Sequence, residues 1–234
     1  MKNINQSKKA NVTKVFDEVF SKYDLMNDLM SFGAHRIWKN KLIDWMNPRK
    51  SDHIVDIASG TGDIAKAFLK RTELSGTVKC VEPNKNMLEI GKKKLKKFNK
   101  VKWYNSSAEK LPFKNETFDI YVVSFGIRNF SNIKLALNES RRVLKTGGRF
   151  LCLEFSKVNN EVFSEIYRKY SKLIPSVGKY VVGKSEPYNY LVKSIEDFYS
   201  QDELLHLIKQ AGFENTEYRD LSGGIAAIHS GWKI

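Results

Sequence analysis

A glycine-containing loop is the strongest chemical signal in this sequence. The segment 56–63 runs from an apolar stretch through Gly60 and Gly62 into a helical pattern, and glycines let a ligand approach the backbone at a helix N-terminus. Gly60, Gly62 and Ala65 have the spacing of a dinucleotide-binding loop, and Glu82 follows about 20 residues beyond Gly62. A carboxylate at that distance accepts hydrogen bonds from ribose hydroxyls. The spacing therefore predicts a site for a nucleoside cofactor.

Asp56 favours one such cofactor over another. A carboxylate directly before the loop would repel the pyrophosphate of NAD, but it suits the positively charged S-adenosylmethionine. We therefore predict S-adenosylmethionine binding and methyl transfer, with a NAD-linked reductase as the alternative. A third interpretation is that Asp56 only caps a tight turn.

Two further polar segments follow predicted strands. Residues 107–113, Ser107-Ala108-Glu109-Lys110-Leu111-Pro112-Phe113, can frame an adenine ring at the carboxyl edge of a sheet, although such a loop is also common as a simple connection. Ser124 is followed by Phe125-Gly126-Ile127-Arg128-Asn129-Phe130, which places a cation and an amide directly beyond a buried strand. Arg128 is accordingly a candidate for chemistry, with a surface salt bridge as the alternative.

Alternating strands and helices must position these segments. Continuous apolar strands separated by helices are typical of a parallel sheet that is covered on both faces. We predict a doubly wound α/β fold with strands at 54–58, 77–82, 101–105, 118–124 and 149–155. Helices are predicted at 62–70, 84–98 and 131–145, the last closed by Gly147 and Gly148.

Helical patterns flank this core within a single predicted domain, 1–234. Apolar residues recur at intervals of three and four from Val12 to Met30 and again from Ile37 to Met46, so residues 1–48 are predicted as N-terminal helices over the substrate site. Residues 157–199 are predicted as an inserted amphipathic helical segment. A capping box opens a helix at Ser200, and the segments 213–218 and 225–232 are predicted as a terminal β-hairpin.

Composition narrows the class of protein. The 234 residues include 41% hydrophobic ones and carry a formal charge of +14, which excludes a disordered chain. No apolar run reaches the roughly 20 residues of a membrane span, and two cysteines, Cys80 and Cys152, are too few for a disulfide framework, so we expect a cytoplasmic protein.

The surplus of positive charge has two interpretations. It would suit binding to nucleic acid or to an anionic membrane, or it reflects only a solvated, lysine-rich helix face at 85–102. The four histidines show no metal-ligand spacing, and we predict no metal.

The N-terminal region contains Val15-Phe16-Asp17-Glu18-Val19, Tyr23-Asp24-Leu25-Met26-Asn27-Asp28, Met30-Ser31-Phe32-Gly33 and His35-Arg36-Ile37-Trp38-Lys39. This region closely resembles that of the ubiquinone/menaquinone biosynthesis C-methyltransferases, the UbiE/MenG family. The glycine loop, the segments 107–113 and 124–129, the strand 144–156 and the ending 223–229 are also similar, so the resemblance covers nearly the whole chain.

The resemblance implies a Rossmann-like class I methyltransferase that transfers a methyl group from S-adenosylmethionine. The implied acceptor is a ring carbon of a polyprenylated quinol, either demethylmenaquinol or a methoxy-polyprenyl-benzoquinol. Carried over by position, the implied cofactor contacts are Thr61, Glu82, Ser107, Ala108 and Ser124, beside Asp56, Gly60 and Gly62 from the loop itself. Many members of the family have Asp at the position of Glu82 and Asn at that of Ser107. Glu keeps the carboxylate that binds ribose.

Methylation of a ring carbon requires a nucleophilic phenolate, so the site needs a group that stabilises negative oxygen. We predict that Arg128 holds the phenolate or an ordered water, because its pKa is too high for an ordinary base, and that Asn129 orients it. Tyr23 is predicted to contact the quinol hydroxyl, with a stacking or core tyrosine as the alternative. His35 is interpreted as a packed structural histidine, with a role in shaping the substrate cavity as the alternative.

A polyprenyl substrate resides in lipid, so we expect peripheral contact with the inner face of the membrane. The stripe Phe163, Tyr167, Tyr170 and Ile174 is typical of an interfacial helix, or of a lid on the core. A homodimer or a quinone-synthesis complex is a further expectation, and a non-catalytic S-adenosylmethionine-binding partner of such a complex is an alternative function. We expect no nucleic acid as partner, because the sequence lacks the catalytic signatures of the rival nucleic-acid methyltransferases.

Overall fold

Seven strands form one sheet in the part of the chain that the computed structural model describes, residues 28–159, 161–182 and 185–234. In chain order they are β1 (His53–Ile57), β2 (Thr77–Val81), β3 (Val101–Tyr104), β4 (Phe118–Ser124), β5 (Leu144–Phe155), β6 (Glu214–Leu221) and β7 (Ala226–Trp232). Their spatial order is β3-β2-β1-β4-β5-β7-β6. Strands β1 to β5 are parallel, and β7 is antiparallel to both neighbours. The predicted doubly wound sheet with a C-terminal hairpin is confirmed.

Helices connect and flank these strands. They are α1 (His35–Met46), α2 (Asp63–Arg71), α3 (Lys85–Lys94), α4 (Ile133–Val143), α5 (Glu161–Val182), α6 (Glu186–Glu196) and α7 (Gln201–Gln210). Short 3-10 helices cover Ile127–Asn129 after β4 and Ser222–Gly224 in the hairpin. The predicted capping box is present at Ser200, whose side chain accepts from the Glu203 N–H.

The strands bury alternate side chains on the two faces of the sheet, as their two-residue repeat requires. One face includes Ile54 and Val122 and packs against α1, α2, α5 and α6. The other includes Val55 and Val123 and packs against α4 and α7. Because both faces are covered, the central strands are mainly apolar, although β1 contains Asp56 and β4 contains Asp119.

The strand order reverses between β1 and β4. The chain leaves β1 toward β2 and β3 on one side, and β4 leads to β5 on the other. In open parallel sheets the loops diverge at such a point and leave a crevice at the carboxyl ends of the strands, where ligands bind. The glycine loop after β1 and the segment after β4 both begin at this crevice.

The helix predicted over 131–145 ends earlier than expected. Leu144 is fully buried and already pairs with β4, which makes it the first residue of β5. Gly147 and Gly148 do not close the helix. They exchange backbone hydrogen bonds of 2.7 and 2.9 Å with Lys233, which follows β7, so strand pairing overrides the local glycine signal.

The lysine-rich helix predicted over 84–98 is also shorter. Its start is as expected, because the Asn84 side chain accepts from the Met87 N–H at 3.0 Å. Leu95 is buried after the end of α3, and the Phe98 N–H donates to its carbonyl at 2.9 Å in a following turn. The helix thus ends before residue 98, in a turn that begins at Leu95.

The helix predicted over 12–30 lies mostly outside the described residues, whereas the one predicted from Ile37 to Met46 is α1. Two long-range hydrogen bonds hold α1 on the sheet. Arg149 Nη1 donates to the Trp45 carbonyl at 2.7 Å, and Trp38 Nε1 donates to Ser222 Oγ at 3.1 Å. Helix α1 is therefore anchored to β5 and the hairpin.

The inserted segment forms α5 and α6. The Tyr167 hydroxyl donates to the Met30 carbonyl at 2.9 Å, the Tyr170 hydroxyl donates to the Leu29 carbonyl, and Ile174 is buried. These three members of the predicted stripe therefore pack on the domain, while the side chain of Phe163 lies outside the described part. None of the helices in the described ranges is long and apolar enough to cross a bilayer.

Candidate active site at the β1–β4 crevice

The glycine loop turns sharply between β1 and α2. Ala58, Gly60 and Gly62 all have positive φ, at 51°, 55° and 86°, and the Gly62 N–H donates to the Ser59 carbonyl at 2.8 Å. A Cβ on Gly62 would lie 2.6 Å from Cδ1 of Leu95. Gly62 is therefore required both by its backbone conformation and by close packing behind the loop.

Glu82 connects the end of β2 to this loop. Its Oε2 accepts from the Gly60 N–H and its Oε1 from the Asn84 N–H, both at 2.8 Å. The side chain is buried, and burial raises the pKa of Glu82 to about 7 despite these two donors. A carboxylate at the end of the second strand has the placement that a ribose diol requires.

Asp56 lies beneath the loop and is also buried. Its carboxylate accepts a hydrogen bond from the Ala65 N–H in the first turn of α2, so it does support the turn. Its Oδ2 is buried and has no hydrogen-bond partner among the described residues. Burial, assisted by the nearby charge of Asp63, raises the pKa of Asp56 to about 8. A bound cation would relieve this cost, because it stabilises the charged carboxylate.

Two lysines that are not among the predicted site residues meet the N-terminus of α2. Lys94 Nζ donates to Thr61 Oγ1 at 3.1 Å and to Asp63 Oδ1 at 2.6 Å, and Lys39 Nζ donates to Asp63 Oδ2 at 2.9 Å. Although burial acts to raise it, these ammonium groups hold the pKa of Asp63 well below its usual range. Helices α1 and α3 are thus both linked to the end of the loop through the carboxylate of Asp63.

The segment after β3 is held from the side of α4. Glu109 Oε1 accepts from the Ser131 N–H at 2.7 Å, just before α4. Ala108 is buried, and the Ser107 carbonyl accepts from Lys110 in a local turn. Asn105 donates to the Glu82 carbonyl at 2.9 Å. The end of β3 is therefore tied to the end of β2, as an adenine-binding edge requires.

The segment after β4 lies directly against the glycine loop. A Cβ on Gly126 would be 2.6 Å from the Cβ of Ala58, so these two backbones are in close contact. Ser124 Oγ is buried and has no hydrogen-bond partner within the described ranges. The following residue, Phe125, has a positive φ of 55°. Two buried polar atoms, Asp56 Oδ2 and Ser124 Oγ, thus remain unpaired near the crevice, which fits a polar ligand there.

Arg128 is not the exposed residue that a surface salt bridge would require. Its side chain is 2% exposed, and Nη1 donates to Glu154 Oε1 at 2.5 Å and to the Phe125 carbonyl at 2.9 Å. Asn129 Oδ1 accepts from the Tyr190 hydroxyl on α6 at 2.8 Å. The surface salt bridge is therefore wrong, and the pair with Glu154 is buried.

Comparison with known proteins shows the family to which this chain belongs. The sequence model of the ubiE/COQ5 methyltransferase family matches residues 2–233. This chain belongs to that family. It is 48% identical to the ubiquinone/menaquinone biosynthesis C-methyltransferase UbiE of Rickettsia akari (strain Hartford), with 100% of this chain and 97% of the relative covered. It is 47% identical to UbiE of Ruegeria sp. (strain TM1040), with 97% and 92% covered.

Solved structures agree on the fold of this ubiE/COQ5 member. An S-adenosylmethionine-dependent methyltransferase of Thermotoga maritima, described as a possible histamine N-methyltransferase, matches with a TM-score of 0.67 and 23% identity, covering 95% of this chain and 99% of that one. The [4+2]-cyclase SpnF matches with a TM-score of 0.70 at 15% identity, covering 95% and 94%. Since one fold carries such different reactions, it is family membership that makes this chain an S-adenosylmethionine-dependent methyltransferase.

The ubiE/COQ5 fold brings most of the predicted residues to one crevice, but the role of each stays a prediction. Tyr23 lies outside the described residues. His35 is buried, and its Nδ1 lies 3.3 Å from Ser31 Oγ, as expected of a packed histidine. In the described ranges no group of three or more His, Cys, Asp or Glu side chains is arranged to hold a metal. Sequence reasoning missed Glu154 and Tyr190. An acid inside the apolar run 150–155 was the available signal for Glu154.

Binding of S-adenosylmethionine should release protons near neutral pH. In the free protein the pKa values of Asp56 and Glu82 are about 8 and about 7, so both groups are partly protonated there. A bound cation favours their charged forms, and affinity should therefore rise as the pH increases through about 7 to 8. Calorimetry at one pH in buffers of different ionisation enthalpy measures the released protons.

The variant Asp56→Asn serves as the test, because it keeps the shape of the side chain and removes its titration. We expect it to lose most of the proton release and about tenfold or more in affinity. S-adenosylhomocysteine, which lacks the sulfonium charge, should release fewer protons from the parent protein. Equal proton release by parent and variant would contradict the assignment to Asp56.

Proposed function

We propose that this protein methylates a ring carbon of a polyprenylated quinol in ubiquinone or menaquinone biosynthesis, or in both. The candidate acceptors are demethylmenaquinol and 2-methoxy-6-polyprenyl-1,4-benzoquinol. The names of relatives such as UbiE of Rickettsia akari support this acceptor class. The structural observation that carries the proposal is the crevice itself, where the ends of β1 and β4 meet around the unpaired buried atoms Asp56 Oδ2 and Ser124 Oγ.

In this proposal, each part of the methyl donor would occupy a separate position in the crevice. Glu82 would hold the ribose, and the backbone of Ala108, with Ser107 beside it, would border the adenine. The loop residues Asp56, Gly60, Thr61 and Gly62, together with Ser124, would border the methionine part. When bound, S-adenosylmethionine supplies an electrophilic methyl group.

The acceptor side would be formed by the segment after β4 and by the helices above it. Trp38 from α1, Phe125 after β4 and Phe155 at the end of β5 form a buried aromatic cluster, with ring centroids 4.9 to 6.3 Å apart. This cluster belongs to the packed core, and it would support a planar ring from behind and help to exclude water. Methylation of the ring carbon would form a C–C bond as the bond between the methyl group and sulfur breaks, which leaves S-adenosylhomocysteine. A phenolate oxygen would supply the electron pair through the ring, and loss of the ring proton to solvent would restore the aromatic quinol. We assign stabilisation of this oxygen, directly or through an ordered water, to Arg128, with Asn129 orienting Arg128 and Tyr23 as a further contact.

A methylation assay with purified protein tests this function directly. Demethylmenaquinol and the benzoquinol are supplied separately in detergent with S-adenosylmethionine, and the methylated quinol is detected by mass spectrometry. The expected result is transfer to at least one of the two. Binding of the donor without transfer would support the non-catalytic partner. NAD-dependent reduction would support a reductase, and methylation of RNA or DNA alone would support a nucleic-acid methyltransferase. An accumulated demethyl intermediate in cells lacking the protein would name the natural substrate.

Peripheral membrane contact is part of the same proposal, but on a surface that differs from the predicted stripe. Because Tyr167 and Ile174 pack inward, the lipid-facing residues would be their exposed neighbours. Phe32 is 69% exposed and stacks on Tyr170 with ring centroids 4.2 Å apart, and Leu173 is 62% exposed. Exposed Lys169 and Lys172 flank this pair on α5. Apolar side chains bordered by cations suit the interface of an anionic bilayer.

Flotation with liposomes tests the surface. The double variant Phe32→Ser, Leu173→Ser should bind vesicles of anionic lipid at least about fivefold more weakly than the parent, and binding of the parent should weaken at high salt. Leu135→Ser on α4 is the matched control, since Leu135 is also an exposed apolar residue, at 45%. If the double variant binds vesicles as tightly as the parent, this surface does not contact the membrane. The predicted homodimer or complex is checked by light scattering of the same samples.

A further inference from the structure

A buried carboxylate at the end of β5 supports the segment that follows β4. Glu154 is 1% exposed and lies next to Leu153, the partner of Ser124 in the β4–β5 pairing. Its Oε1 accepts from Arg128 Nη1 at 2.5 Å and from the Phe155 N–H at 3.0 Å, and its Oε2 accepts from the Arg128 N–H at 3.3 Å. One side chain thus binds both the backbone and the guanidinium of Arg128.

The same guanidinium holds the turn of the segment. Arg128 Nη1 also donates to the carbonyl of Phe125, the residue whose φ is +55°. A non-glycine residue in the left-handed region costs about 1–2 kcal/mol, so surrounding contacts must maintain it. The chain of contacts therefore runs from Glu154 through Arg128 to the strained turn at Phe125.

This turn contacts both sides of the crevice. Gly126 packs on Ala58 of the glycine loop, and the Asn129 N–H donates to the Gly126 carbonyl at 3.0 Å. Asn129 is fixed from the other side by the Tyr190 hydroxyl. A shift of the turn would displace Asn129 relative to the glycine loop, whereas Ser124 is held by its pairing with Leu153. Glu154 would act on the crevice only through Arg128.

We infer that Glu154 is a positioning residue, which acts through Arg128 to hold the segment 124–130 in the conformation that methyl transfer requires. Burying a carboxylate and a guanidinium inside an apolar sheet costs free energy unless both groups are well paired. We therefore infer that the pair contributes more to the geometry of the segment than to the stability of the fold. The inference rests on the proposed function for the acceptor, whereas the conformation of the segment can be measured without any acceptor.

Glu154→Gln is the test variant, because it keeps the size of the side chain and removes its charge. We expect the amide protons of Asn129 and Phe130 to exchange about tenfold faster or more, while those of β1 and β2 keep their protection. Single-turnover methylation should fall about tenfold or more, and S-adenosylmethionine affinity should stay within about threefold. Glu73→Gln is the control, since Glu73 forms an exposed ion pair with Lys50 far along the chain from this segment.

Glu154→Asp keeps the buried charge and carries the test if the Gln variant does not fold. Its amide exchange rates at Asn129 and Phe130 and its single-turnover rate should lie between those of the parent and the Gln variant, because the shorter side chain cannot keep every contact. Parent-like exchange at Asn129 and Phe130 in a folded variant would overturn the inference, and so would faster exchange spread evenly over the whole sheet. A parent protein without methylation activity would instead contradict the proposed function, and the exchange data would still decide the role of Glu154.

Discussion

Replacing Arg128 with Ala should slow methyl transfer about a hundredfold, the effect of losing one donor to a developing oxyanion. It should also lower the free energy of unfolding by about 3–5 kcal/mol, because Glu154 would keep a buried charge without its partner. Both partners are only 2% exposed, so water cannot easily replace the guanidinium. The affinity for S-adenosylmethionine should change little, since Glu82 is held in place by the N–H groups of Gly60 and Asn84.

Single-turnover assays well below the unfolding midpoint separate the two losses, because they isolate the methyl-transfer step in folded protein. Arg128→Lys should restore part of the stability and only part of the rate, since an ammonium lacks the planar fork that binds Glu154 and the Phe125 carbonyl together. A near-parent rate in Arg128→Ala would show that Arg128 has no role in the reaction. Tyr23 and His35 would then be tested next.

Replacing Gly62 with Val should reduce S-adenosylmethionine affinity about a hundredfold or more, or prevent binding altogether, because two costs coincide. The φ of Gly62 is +86°, and a Cβ would meet Leu95 at 2.6 Å and the Trp103 ring at 3.2 Å. The added side chain would therefore push the loop away from α3 and β3. The loss of affinity would therefore come from disturbed packing behind the loop. If the new side chain only crowded the ligand, the stability of the free protein would not change.

Gly147→Val is the matched control for that prediction. Gly147 has a similar φ of +78°, but a Cβ there has nothing within 4 Å among the described residues. It should show only the backbone cost of roughly 1–2 kcal/mol in stability, with normal cofactor affinity. Calorimetry and thermal unfolding of the two variants separate strain from packing. Equal effects at both positions would contradict the role assigned to Leu95 and Trp103.

The predicted strands and the glycine loop were correct because their signals are local. A buried parallel strand needs a continuous apolar run, and a turn from strand to helix needs glycines, so both appear within a few neighbouring residues. Helix ends were less well predicted. The glycines at 147–148 favoured a helix stop, but Leu144 pairs with β4 and Lys233 binds both glycines from the other end of the domain. A partner so distant in sequence leaves no local signal.

By itself, the sequence determined the class of fold, the glycine loop between β1 and α2, and the family that its motifs resemble. Only the tertiary structure decided what Arg128 contacts, because its partner Glu154 lies 26 positions away on a strand that becomes a neighbour through the sheet order. The same holds for Asn129, which meets Tyr190 across 61 positions. The periodicity of apolar residues indicates which face of an element is buried. Hydrogen-bond partners depend instead on which elements pack together, and that depends on the packing of the whole core.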